Sequence, residues 1–142
     1  DKDKVYRNVY NNYSENRLRF MGYVMYEKLC VADGLKAAYF AFNREEMARF
    51  HYIKGDAEGL VNMPLQIKGM KLSVSLREDT EKDNKIRVSL RSVDDFPCNK
   101  MAEMFFNGGG HLNASGGELH CSLDEAVETV KKAIEHFEDM LR

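Results

Sequence analysis

Two alternating segments in the middle of the chain leave little freedom for its architecture. Leu72, Val74 and Leu76 alternate with Ser73, Ser75 and Arg77, and after the polar stretch 78–84, Ile86, Val88 and Leu90 alternate with Arg87, Ser89 and Arg91. Successive side chains of a strand point to opposite faces, so period-two alternation on both sides of a charged turn is a β-hairpin with one buried face. A turn centred near Glu81 pairs Lys71 with Arg91, Ser73 with Ser89, and Ser75 with Arg87 on the other face. A solvated surface is the usual meaning of such a pattern. No acidic residue interrupts this face within the strands, however, and the chain as a whole has a formal net charge of −2.

Helical periods flank the hairpin. Val5, Tyr6, Val9 and Tyr10 give residues 4–12 a short apolar face. Ser14 is an N-cap for the next segment, where Leu18, Met21, Met25 and Leu29 recur at spacings of three and four, ending near Val31 before Asp33-Gly34. These two helices read equally as a connector from something upstream or as a cover for the sheet. Residues 35–42, with Tyr39 and Phe40 at their centre, read as a buried strand. Asn43 caps a helix over 44–52, closed by Lys54-Gly55. Asp56 is expected to cap a second helix, ended by Gly69, that holds Pro64 in its first turns, since a proline deeper in costs about 3 kcal/mol. Glu58 stays open as a contact to a metal or a ligand hydroxyl. After the turn 92–97, residues 98–106 form a helix whose stripe of Met101, Ala102, Phe105 and Phe106, with Met104, reads as core. A short strand is expected at 118–121. Ser122 and Glu125 make a capping box for a last helix to about Leu141.

Between those last elements lies Asn107-Gly108-Gly109-Gly110-His111-Leu112-Asn113-Ala114-Ser115-Gly116-Gly117, which holds five of the ten glycines. Three consecutive glycines weaken any regular element, and belong where the backbone turns sharply or comes close to a ligand. Their N–H groups can line an anion-holding nest, with His111 at its lip. The plain alternative is a tight helix-to-strand turn with a surface histidine. The preceding helix presents the negative end of its dipole here, so an anion site needs the nest amides or a new short helix opening at His111.

Other chemistries are excluded by what is absent. The chain has 142 residues, enough for one domain that buries about two thirds of its unfolded surface. Cys30, Cys98 and Cys121 are odd in number, widely spaced and not in C-x-x-C form, which argues against a disulfide framework or a zinc site and for a reducing compartment. No apolar run approaches the roughly 20 residues of a membrane span, and the start Asp1-Lys2-Asp3-Lys4 is no signal peptide. A cytoplasmic protein without a membrane partner, and a fragment of a longer chain, are the expectations. His111 and His120 lack a third metal ligand at useful spacing, His51 and His136 read as surface or interface residues on helices, and no G-x-S-x-G elbow is present. The remaining theme is anion binding by Arg87 and Arg91 on a sheet face, with the glycine run and His111 a short helix away.

Gly55-Asp56-Ala57-Glu58-Gly59, Leu90-Arg91-Ser92 and Phe106-Asn107-Gly108-Gly109-Gly110-His111-Leu112-Asn113-Ala114-Ser115-Gly116-Gly117 occur in that order. Together they strongly resemble the DHH-associated C-terminal domain of DHH-family phosphoesterases, over roughly residues 35–140. Within that family the motifs look most like the bifunctional oligoribonuclease/phosphoadenosine-phosphate phosphatase branch, which includes exopolyphosphatase-related proteins. The resemblance implies an N-terminal DHH domain as partner, carrying manganese on Asp and His ligands that are not in these 142 residues. It implies a C-terminal domain that binds the substrate's nucleotide and terminal phosphate. Arg91 and His111 would contact phosphate, Gly108, Gly109 and Gly110 would permit close approach, and Asp56 and Glu58 would belong to the cleft rim or to structure. Pro97-Cys98 departs from the family pattern, in which an acidic and a β-branched residue are expected.

The expected fold is therefore α/β, a mixed β-sheet covered by helices in a single domain over 34–142, preceded by a helical connector over 1–33. The candidate substrate-binding set is Arg91, Ser92, Gly108, Gly109, Gly110, His111, Arg87 and Glu58, with no catalytic residue and no metal ligand in this stretch. The expected ligand is a short RNA or DNA oligonucleotide or a nucleotide phosphate, and a homodimer is open. Natural substrates compatible with the resemblance are oligoribonucleotides, phosphoadenosine phosphate, products of cyclic dinucleotides and polyphosphate. The alternative is a non-catalytic module tracking single-stranded nucleic acid, as in RecJ-like exonucleases, which calls for exposed aromatic stacking and a long basic groove. A third reading, editing of the kind associated with alanyl-tRNA synthetases, needs a metal-ligand set that the chain does not show.

Overall fold

The computed structural model describes residues 14–57 and 59–142. The helix expected at 4–12 and the Glu58 side chain lie outside the described residues. The elements run α1 (Glu15–Tyr23), a π-helical turn (Val24–Lys28), β1 (Cys30–Val31), β2 (Ala37–Phe42), α2 (Arg44–Arg49), a 3-10 helix (Leu60–Gln66), β3 (Leu72–Glu78) and β4 (Ile86–Ser92). There follow α3 (Cys98–Phe105), β5 (Gly109–His111), β6 (Ala114–Leu119), α4 (Leu123–His136) and α5 (Glu138–Leu141). One mixed sheet has the order β1-β2-β3-β4-β6-β5. Among the described residues only β2 and β3 are parallel neighbours, and a parallel pair needs a crossover, which α2 and the 3-10 helix supply. The α/β expectation holds.

Each sheet face has its own core. Leu72, Val74, Leu76, Ile86, Val88 and Leu90 pack against Met101, Ala102 and Phe106 of the α3 region and Ala126, Val130, Ala133 and Ile134 of α4. On the opposite face, Phe40 and Phe42 of β2 meet Phe20, Met21, Val24, Met47 and Leu60. Phe20 and Phe42 meet edge to face with ring centroids 5.0 Å apart, a favoured arrangement of ring quadrupoles. Among the described residues this second core is centred on β2, its 3-10 helix reaching β3 and β4, and the polar residues of that face lie toward the β4–β6–β5 side.

A polar hub ties the second core together. Asn43 and Glu46 form a capping box at the start of α2. Glu46 also accepts from the Tyr23 hydroxyl and pairs with Lys28 at 3.3 Å. Burial pushes the Glu46 carboxyl up, but the Tyr23 hydroxyl, the Asn43 amide and Lys28 together hold it below its ordinary value.

Several expectations are corrected. The hairpin register is shifted by two: Ser73 faces Arg91, Ser75 faces Ser89 and Arg77 faces Arg87. A two-residue shift keeps every side chain on its face, whereas one residue would have reversed them all. The cause is Asp79, whose carboxylate accepts from the N–H groups of Glu81 (3.1 Å) and Lys82 (2.8 Å) and so moves the turn onward. The first helix does not reach Val31, because Cys30 and Val31 pair with Tyr39 and Ala38 as a strand. Leu18 is exposed and Phe20, Met21 and Val24 are buried in its place. Helix α2 stops at Arg49 because His51 adopts a left-handed conformation (φ 53°); His51 and Tyr52 then bond back to Ala48 and Met47 in a Schellman closure.

Asp56 caps nothing downstream. Its carboxylate accepts from the Ile53 N–H at 2.9 Å, and the next helix is a 3-10 helix opening at Gly59 without a side-chain cap. Pro64 lies inside that helix, where it has no N–H to give an α-helical ladder. Met104 is exposed rather than core, and the final helix breaks at Phe137. Despite Pro97-Cys98, α3 starts on time, with Pro97 at the N-cap position and the Cys98 N–H donating to the Leu112 carbonyl at 2.9 Å.

Candidate functional site

The glycine run is a strand and not a loop. Gly109, Gly110 and His111 form β5, which turns through Leu112-Asn113 into β6, longer and earlier than the strand expected at 118–121. An extended strand sends successive N–H groups to opposite sides, so neither a three-amide nest nor a helix at His111 is formed. The glycines serve close packing. A Cβ on Gly108 would lie 1.9 Å from the Gly116 carbonyl oxygen, and one on Gly117 would lie 2.1 Å from the Phe106 carbonyl oxygen. The hairpin is thus pressed against the end of α3, where the Glu118 N–H donates to the Phe106 carbonyl at 2.8 Å.

Strand register decides which candidates meet. Arg91 lies opposite Ala114, and Ala114 opposite His111, so the three form one cross-strand row. Two strand spacings put Arg91 and His111 about 10 Å apart at their Cα atoms, with only a methyl group between them. Arg91 is half-buried and donates to the Leu90 carbonyl at 2.8 Å; no carboxylate pairs with it among the described residues. His111 is exposed at the end of the edge strand. The next row along joins Ser75, Ser89, Gly116 and Gly109. A cationic side chain and an imidazole therefore flank a low floor, a geometry suited to a phosphate or carboxylate.

The other two sheet candidates differ from Arg91. Arg87 shares its face but is spent in an ion pair with the buried Asp79, Nε to Oδ1 2.7 Å. The Lys82 amide, then Arg87 and the Glu81 amide, hold the Asp79 carboxyl well below the usual range. Ser92 lies on the opposite face, in register with the core residues Leu90 and Val88. Its buried hydroxyl donates to the Phe96 carbonyl at 2.7 Å and accepts from Asn113 Nδ2 at 2.9 Å. It positions the turn that carries His111. Among the described residues, no group of three or more His, Cys, Asp or Glu side chains is placed to hold a metal ion, and no helix is long and apolar enough to cross a membrane. His120 lies 3.4 Å from Glu118.

Sequence reasoning missed the floor residues Ala114 and Gly116, which only the β4–β6 register reveals. It also missed Asp79, although an Asp at the head of a polar turn is a recognisable turn signal.

The DHHA1 domain model matches residues 35–137, and the chain belongs to the DHHA1 domain family. It is similar to an exopolyphosphatase-related protein of Bacteroides fragilis, with a TM-score of 0.90 and 52% sequence identity over 99% of this chain. This chain spans 40% of that protein's length. A pGpG-specific phosphodiesterase of Vibrio cholerae shares the fold, with a TM-score of 0.61 and 14% identity over 90% of this chain and 40% of that one. An uncharacterized protein of Helicobacter pylori does so at 0.52 and 18%, over 88% of this chain and 35% of that one. No curated protein matches the sequence significantly.

Proposed function

We propose that this chain is the substrate-binding part of a DHH-family phosphoesterase, and that it holds the terminal phosphate of a short oligonucleotide or nucleotide between Arg91 and His111. The observation that carries this reading is the Arg91–Ala114–His111 row, in which a half-buried guanidinium, without a carboxylate partner among the described residues, stands beside a floor of Ala114 and Gly116. A cation left uncompensated beside a bare strip favours an anionic guest, and the planar guanidinium fork fits phosphate oxygens. The similarity to an exopolyphosphatase-related protein and the fold shared with a pGpG-specific phosphodiesterase are in keeping with phosphate-bearing ligands. Manganese-dependent hydrolysis in the oligoribonuclease/phosphoadenosine-phosphate phosphatase manner belongs, on this reading, to a separate DHH domain. The described residues offer no ligand set for the metal, so no metal step is assigned to them.

The test is a calorimetric titration of this chain with a 5′-phosphorylated dinucleotide, its unphosphorylated counterpart and inorganic polyphosphate. Binding should require the terminal phosphate and weaken by roughly tenfold or more in both Arg91→Ala and His111→Ala, about 1.4 kcal/mol for each lost charge-assisted contact. Binding indifferent to both substitutions would return the row to a structural role.

A further inference from the structure

At the far end of the same sheet face a cavity of about 790 Å³ opens where β3 and β4 meet their turn. Among the described residues, five cationic side chains line it against three carboxylates, in a protein whose net charge is negative. Two of the carboxylates are already engaged: Glu78 accepts from the Arg44 N–H at 2.9 Å, and Asp79 holds Arg87. Lys85 is paired with Glu118 at 3.6 Å. Lys54, Arg77 and Lys82 are left without an acidic partner among the described residues. Arg77 moreover lies directly opposite Arg87. Like charges so placed are destabilising, and Asp79 neutralises only one of them.

The cavity is in line with the Arg91 row. Arg87 precedes Arg91 by four residues on β4, about 13 Å along a strand. Between them the face is low, because Ser89 stands beside Gly116. A Cβ added to Gly116 would find within 4 Å only the Val88 carbonyl oxygen, at 3.2 Å, so among the described residues no side chain packs directly over Gly116. Tyr52 lines the cavity, its ring braced edge-on against Phe20 at 5.8 Å between centroids. A base can stack on such a held aromatic face.

We infer that Lys54, Arg77 and Lys82 form a second phosphate subsite. It takes the downstream backbone of a single-stranded oligonucleotide whose terminal phosphate lies at Arg91 and His111. This rests on the function proposed above and adds a length requirement to it. About 13 Å corresponds to about four stacked nucleotides at 3.4 Å each, so a dinucleotide reaches only the first subsite and a pentanucleotide reaches both.

The experiment is fluorescence anisotropy on this chain with 3′-labelled, 5′-phosphorylated oligoadenylates of two and five nucleotides. The parent, a Lys54→Ala/Arg77→Ala double variant and Arg91→Ala are compared, with melting curves to show that each is folded. The pentanucleotide should bind the parent roughly tenfold more tightly than the dinucleotide, with a steeper salt dependence. The double variant should lose that advantage and leave dinucleotide binding unchanged. Equal loss for both lengths, or no loss for either, overturns the second subsite. Dinucleotide binding that ignores Arg91→Ala while the pentanucleotide still depends on Lys54 and Arg77 rejects the terminal-phosphate assignment and keeps the cationic cavity as a phosphate site. Affinity that keeps rising well beyond five nucleotides replaces the closed second subsite by a groove that tracks a strand.

Discussion

The glycine triplet can be divided experimentally into a residue that holds the fold and one that does not. In Gly108→Ala the new methyl carbon would start 1.9 Å from the Gly116 carbonyl oxygen and 2.6 Å from the Gly117 Cα. Both are backbone atoms of β6, so no side-chain rotation relieves the clash, and the hairpin must move away from α3. Overpacking typically costs 1–3 kcal/mol, and a backbone-to-backbone collision belongs at the upper end, about 3 kcal/mol. For a chain of this length that is a fall of about 10 °C in melting temperature, at about 3–5 °C per kcal/mol. In Gly109→Ala the same carbon meets only Glu103 Cγ, at 3.8 Å, and Gly109 is not among the glycines with positive φ. Its substitution should change stability by less than about 1 kcal/mol and can even raise it by restricting the unfolded chain. Thermal denaturation of the two variants, followed by circular dichroism, reads the difference directly. A Gly108→Ala protein melting within about 2 °C of the parent, or a Gly109→Ala protein falling equally far, would refute the argument from close packing.

Ser92→Ala should destabilise the fold by about 1–3 kcal/mol, because the Asn113 amide and the Phe96 carbonyl lose their shared buried partner; chemical denaturation measures it, and an unchanged midpoint contradicts the role given to Ser92. The same variant should weaken dinucleotide binding less than His111→Ala does, since it acts only through the turn. Asp79 gives the fold an acid sensitivity with a definite sign. Its carboxyl is lowered in the folded state, chiefly by the Lys82 amide and by Arg87, so this contribution is present above the unfolded value near 4 and is lost as pH falls below it. Asp79→Asn should therefore flatten the dependence of melting temperature on pH below about 4, leaving the slope from other carboxyls, among them Glu46, which is also lowered. An unaltered slope would show that the turn carboxylate is not the titrating group.

The polarity of the chain, but not its registers, was legible from residue order. Alternation along 72–91 identified both faces of the hairpin because a strand has a two-residue period whatever its pairing. It could not tell Ser73↔Ser89 from Ser73↔Arg91, since both obey the alternation; the choice is made by three bonds to the Asp79 carboxylate. The helix caps at Ser14, Asn43 and Ser122 were readable because each is a local contact within three residues. The conversion of 30–31 into a strand was not, because it depends on Tyr39 and Ala38 at the far side of a turn.

The same distinction explains the site. Arg87 and Arg91 are indistinguishable by pattern, since they are four residues apart on one strand face and neither has an acidic neighbour within the strand. Position across the sheet separates them. Arg87 lies beside the turn, where Asp79 neutralises it, whereas Arg91 lies beside Ala114, where no carboxylate pairs with it among the described residues. Charge neutralisation within the fold is what makes one arginine structural and leaves the other available. By the same reasoning the glycine run contributes to the site indirectly. Its tight contacts with β6 and the end of α3 hold a short edge strand in a register that brings His111 level with Arg91. A Gly108→Ala protein that remains folded should therefore bind the dinucleotide as weakly as His111→Ala does, although Gly108 itself lies outside the Arg91–Ala114–His111 row.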